Sequence, residues 1–120
     1  RTFNGGGSPA DSNTPWWVWE VDASAIDPAS TVASSVIESN GTALNQAYTT
    51  TVDDAFAALI ANLSNSATPS GSSGWTAVGS ATFTPAGYIE DAGAAGAKTA
   101  GLTLDAGRFR GMAVQAYARA

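Results

Sequence analysis

The sequence predicts an α+β fold: an N-terminal extended arm and Trp-rich strand, one or two helices at about 28–39 and 43–63, and a C-terminal antiparallel meander. Three observations predict it. Apolar residues recur at spacings of three and four through 43–63. Residues 16–21 and 75–84 alternate as strands do. The 120 residues amount to one domain's worth of chain, divided here into an arm at 1–15 and a single small globular domain at 16–120. An all-β sandwich with one helix is the alternative.

The arm, "RTFNGGGSPADSNTP", has three consecutive glycines, two prolines and Phe3 as its one apolar anchor. Ordering such a segment costs on the order of 1–2 kcal/mol of backbone entropy per residue. An arm of this composition is therefore expected to dock along a neighbouring subunit by strand addition. The chain opens on Arg1 rather than Met, which suggests a processed start.

Next comes "PWWVWEVD", with three of the four tryptophans within four positions. Strand alternation places Trp17, Trp19 and Val21 on one face and Trp16, Val18 and Glu20 on the other. In "DPASTVASSVIESNG", Asp27 can cap a helix, Pro28 suits its first turn, and Asn40-Gly41 can end it. The stripe through 43–63 consists of Leu44, Ala47, Tyr48, Val52, Ala55, Phe56, Leu59 and Leu63, with 52–63 its firmest helical part. Phe56 and Leu59 are expected to pack together against the Trp-bearing strand. "SNSATPSGSSG" reads as a linker, 85–101 as a long loop with an extended piece at Tyr88 and Ile89, and "DAG" as the turn of a closing hairpin. On that hairpin Arg108 and Arg110 are expected to face solvent or an acidic neighbour, opposite Phe109.

Composition narrows the chemistry. Ten acids against five bases give a net charge of −5, the opposite of what phosphate neutralisation requires, so no nucleic-acid partner is expected. No apolar run approaches the ~18 residues of a membrane span. With no histidine and no cysteine, Ser-His-Asp and Cys-His catalysis and the usual zinc sites fall away. Paired carboxylates could still serve a glycosidase, but Asp53-Asp54 suit a helix first turn and Glu90-Asp91 a solvated loop tip. Glu20, Asp22 and Asp27 lack calcium-loop spacing. "GAAGAKTAG" lacks the glycine immediately before lysine that a phosphate loop needs. Asn40 and Asn62 match a glycosylation pattern frequent enough by chance to carry nothing.

Val, Ile, Leu and Phe together number 20 of 120 residues, so the core is thin and neighbours would add needed burial. The expectation is a non-enzymatic structural subunit of a larger assembly, such as a virion's capsid decoration or tail protein, located in a virion or outside the cell. No catalytic residue, cofactor or metal is expected, and the partners are neighbouring protein subunits. Phe3, Trp16, Val18, Arg108 and Arg110 are the expected assembly contacts. The contrasting reading is a secreted or cell-surface carbohydrate-binding or adhesion module that holds a glycan on the segment from Trp16 to Trp19.

Overall fold

Strand alternation, not helical periodicity, organises the middle of the chain. The structure, a computed structural model, describes residues 28–118, and none of these is helical. The arm at 1–15 and the Trp-rich strand lie outside the described residues. Six strands form one antiparallel sheet: β1 (Ala33–Thr50), β2 (Phe56–Leu63), β3 (Pro69–Gly71), β4 (Thr76–Val78), β5 (Ala86–Ile89) and β6 (Gly96–Tyr117). Their order is β1-β6-β2-β5-β4, with β3 also paired to β6. The α+β expectation is thus corrected to all-β. Of the alternative, the all-β class stands, but the two-sheet sandwich and the helix do not, since the described strands form one sheet.

Both expected helices are strands. Within 43–63, Leu44, Gln46, Tyr48 and Thr50 are buried on β1, and Ala57, Leu59, Ala61 and Leu63 on β2. A four-residue step such as 44 to 48 or 59 to 63 satisfies a period of two as well as a helix. What separates the two readings is Phe56 and Leu59, which a helix stacks and a strand places on opposite faces. Leu59 is fully buried, whereas Phe56 is half-buried on the outer side. The segment at 28–39 gives way for a related reason. Its Val, Ile, Ser and Thr residues suit a pleated strand, and β6 supplies the partner: Ala33 pairs with Val114 and Ile37 with Arg110.

The long β1/β6 pair bends midway and so contributes twice. One half pairs Ala33–Ile37 with residues 110–114, and the other pairs 43–50 with 96–103. Between them the register shifts at Ile37/Gly41 and again at Gly41/Ala43. Extra residues of this kind kink a strand and increase its twist. The expected "DAG" hairpin turn is the β6 side of this bend, because β6 runs unbroken from Gly96 to Tyr117. β3 joins one half of β6 (Pro69 opposite Leu104), while β2 joins the other (Leu59 opposite Val114). The sheet therefore curls around a single core that includes Leu44, Leu59, Leu102, Leu104, Met112 and Val114.

Small residues let the curled layers approach. Ala57, Ala61, Ala100 and Ala116 all lie in the core. Its larger anchors include Tyr48 and Trp75, whose rings meet edge to face at 6.3 Å and 89°. The expected long strand from Trp75 shortens to β4, with Phe83 exposed beyond it. The expected 85–101 loop instead contains β5 and the start of β6. Inside the bend, Ser35 Oγ donates to Gln46 Oε1, and Gln46 Nε2 donates to the Ala47 carbonyl at 2.9 Å, so the buried amide is satisfied.

Burial pushes the Tyr48 phenol above its ordinary value. A raised folded value means its contribution is present below about pH 10 and is lost as pH rises through the folded value. Tyr48→Phe, which cannot ionise, should begin alkaline unfolding at a higher pH than the parent protein. Coincident alkaline limbs in a circular-dichroism titration would remove Tyr48 from that transition.

Candidate functional site

Curling leaves the outer side of the β1–β6–β2 region uncovered by any described strand. Strand parity puts Val32, Ser34 and Val36 there from β1 and its approach, Phe109, Gly111 and Ala113 from β6, and Ala58, Ile60 and Asn62 from β2. The larger apolar members are exposed: Val36 by 76%, Val32 by 59%, Phe109 by 48% and Ile60 by 40%. A shallow groove of about 550 Å³ runs across this surface between Val36, Ile60 and Ala113, with a second past Phe109 and Asn62. Single exposed apolar residues are ordinary, but contiguous ones across three paired strands are characteristic of interaction surfaces.

The two arginines flank this face without lying on it. Arg110 is only 8% exposed and belongs to the inward row of β6. Its Nε donates to the Ala43 carbonyl at 2.7 Å, and its Nη1 donates to the carbonyls of Ser39 and Arg108 at 2.8 and 2.9 Å. These acceptors surround the register shift, so the guanidinium supplies donors where the strand ladder is interrupted. A Cβ at Gly41 would stand 3.0 Å from that guanidinium, so a hydrogen there is what permits the close approach. Arg108 reaches the other way: its Nε donates to Ser66 O at 3.0 Å, and its Nη1 to Gly107 O at 2.8 Å. The expectation that both arginines face solvent or an acidic neighbour is corrected for Arg110, which is buried against backbone carbonyls, and Arg108 is half-buried. Phe109, between them, does point outward.

Arg110→Leu should destabilise by about 1–3 kcal/mol, the cost of leaving buried polar groups unsatisfied. Arg110→Lys should recover only part of this, since one ammonium cannot reproduce a fork of donors. Denaturant midpoints equal to the parent's for both variants would show that the bend holds without the guanidinium.

The carboxylates serve turns. Asp105 Oδ1 accepts from the Thr68 amide at 2.8 Å, which holds its carboxyl below the ordinary range. Asp53 Oδ1 accepts from the Ala95 amide and Asp91 Oδ1 from the Gly93 amide, each at 2.7 Å. The helix first turn expected at Asp53-Asp54 is instead the β1–β2 connection, where Asp54 has φ 55°. Among the described residues, no group of three acids is placed to hold a metal ion.

Of the expected contacts, Phe3, Trp16 and Val18 lie outside the described residues, as does the Trp segment on which the carbohydrate reading rests. The outer-face residues Val36, Ile60 and Phe109 were not singled out as contacts by sequence reasoning. For Ile60 the signal was the alternation Phe56, Ala58, Ile60, Asn62, masked by a helical interpretation of the same residues. No family model, curated protein or solved structure matches this chain.

Proposed function

We propose that this chain is a non-enzymatic structural subunit that works by assembling with neighbouring protein subunits through the outer face of β1, β6 and β2. A coat-decoration or tail component of a virion is the setting that its composition suits. The observation that carries the reading is the contiguous exposure of Val36, Ile60 and Phe109 on paired strands.

Magnitudes set the kind of contact. Covering the exposed parts of Val32, Val36, Ile60 and Phe109 stabilises by roughly 1 kcal/mol each. A twofold pair doubles that, to the same order as the ~4–15 kcal/mol that association costs. An isolated pair is therefore weak. In an array, each subunit engages several neighbours and the contacts reinforce one another.

Concentration-dependent NMR tests the location of the contact. Raising the protein concentration should shift the amide signals of residues 34–36, 60–62 and 109–113 together. Shifts confined to 97–103, on the other half of the β1/β6 pair, would refute this face.

A further inference from the structure

The connection between β2 and β3 holds an asparagine folded against the amide that follows it. Asn65 Oδ1 accepts from the Ser66 amide at 2.8 Å, so the side-chain carbon Cγ, one C=O bond further, lies within ~4 Å of that nitrogen. Among the described residues, no other asparagine accepts from the amide that follows it. We propose that Asn65 is a site of spontaneous covalent modification, in which the Ser66 nitrogen closes on Asn65 Cγ and water opens the resulting cyclic imide to aspartate and isoaspartate. Asn65 is exposed, so water reaches the carbon and ammonia can depart. The reaction needs no partner subunit and is independent of assembly.

The fold prepares this closure from both sides. Before the step, the Ser64 amide donates to Phe109 O at 3.0 Å, and Ser64 Oγ accepts from the Phe109 amide at 3.3 Å. After it, Ala67 and Thr82 exchange two backbone hydrogen bonds of 3.0 Å. Residues 65 and 66 thus bridge a fixed gap, and a pair of reacting atoms held close needs no search through chain conformations. Arg108 completes the arrangement. Its Nε donates to the Asn65 carbonyl at 3.2 Å and to the Ser66 carbonyl at 3.0 Å. The first carbonyl shares its peptide group with the attacking nitrogen, so a cation there makes the N–H proton easier to remove. That nitrogen gives up its proton and bonds to Cγ, and the Cγ–Nδ2 bond breaks as ammonia leaves with the proton. Water then cleaves one of the two C–N bonds of the ring. Cleavage at Cγ restores the ordinary backbone as aspartate, and cleavage at the main-chain carbon leaves isoaspartate. Either product sets a carboxylate beside Arg108, and isoaspartate lengthens the backbone by a methylene next to Ser64. Asn45 and Asn62 stand in the ladder opposite Gly101 and Gly111, where an extended strand carries the side chain to one face, away from the next amide. Asn40 precedes glycine, the successor that hinders ring closure least, yet it too lies within β1.

Peptide mapping by mass spectrometry follows each asparagine of the full-length chain, folded in buffer and unfolded in guanidinium at the same pH and temperature. Folding should speed conversion at Asn65 severalfold and slow it at Asn45 and Asn62, with isoaspartate among the products at 65. Arg108→Gln, folded by circular dichroism, should lose most of that gain. Arg108→Lys keeps a charged donor and should retain part of it. If Arg108→Gln does not fold, the parent protein's folded and unfolded rates still decide. Conversion at Asn65 no faster in the folded chain than in the unfolded one would overturn the proposal. So would aspartate formed without isoaspartate, which would mean direct hydrolysis with no ring. A folded Arg108→Gln protein that converts at the parent's rate would contradict the part assigned to the guanidinium.

Discussion

Leu102→Ala should destabilise the protein by ~2–5 kcal/mol, the range for emptying a fully enclosed leucine site. Leu102 has no exposed surface. On β6 it pairs with Leu44 of β1 on one side and Gly71 of β3 on the other. Its two methyl groups occupy the space a Cβ at Gly87 would need, at 2.6 and 2.9 Å. One side chain therefore ties three strands to β5 across the curl. A domain's entire stability is about 5–15 kcal/mol, and few large apolar residues stand behind this one, so the loss should be visible as partial unfolding at ambient temperature. Chemical denaturation reads it. Val36→Ala is the matched contrast, at a site 76% exposed, and should change folding stability by less than about 0.5 kcal/mol. Equal losses for the two variants would mean that the interior is not where the structure places it.

Gly71→Ala should be nearly as damaging, for a steric reason. A Cβ at this position would lie 1.8 Å from the Trp75 carbonyl oxygen and 2.8 Å from its carbon. Both are backbone atoms, so no side-chain rotation relieves the clash. The approach is created by the tight turn between β3 and β4. There the Trp75 amide donates to Ser72 O at 3.0 Å, while Ser73 and Gly74 take φ of 53° and 86°. Two successive positive φ values mark a type I′ turn. Opening the turn to admit a methyl would withdraw Trp75 from Tyr48. Overpacking typically costs ~1–3 kcal/mol, and a backbone clash belongs at or above the upper end. Near-ultraviolet circular dichroism of Trp75 should weaken together with the melting temperature. Gly79→Ala calibrates the result: nothing lies within 4 Å of its added Cβ, so only the strain of φ 96° remains. A Gly71→Ala protein that melts no lower than Gly79→Ala would contradict the β3–β4 packing.

The turn at Ser73-Gly74 shows why part of the fold escaped the sequence. "SNSATPSGSSG" has linker composition, yet its Ser-Gly step also forms a tight turn between two strands, and only the neighbouring strands decide between them. "FAALIANL" is similar: locally it is a good helix former, but β6 and β5 flank it on both sides and pair it as a strand. Alternation was legible where the residues are large and chemically distinct, as in the last strand, where Phe109 does oppose Arg110 and Met112. It was hidden where alanine stands on both faces, as at Ala57 and Ala58, since alanine marks neither inside nor outside. The bend at 38–42 and 104–107 had glycines at 41 and 107 but no pattern that separates a bulge from a turn. The candidate surface inherited that ambiguity, because Ile60 becomes an outward residue only once β2 is a strand.

Sedimentation equilibrium of the full-length chain, carried into the millimolar range beside Val36→Asp, tests the assembly reading most directly. The monomer mass is 12.0 kDa. The parent protein should rise above it with concentration, while Val36→Asp, folded by circular dichroism, should stay at monomer mass because an aspartate cannot be buried unpaired at the contact. A parent protein that remains at 12.0 kDa throughout, or a Val36→Asp variant that associates as the parent does, would contradict the account.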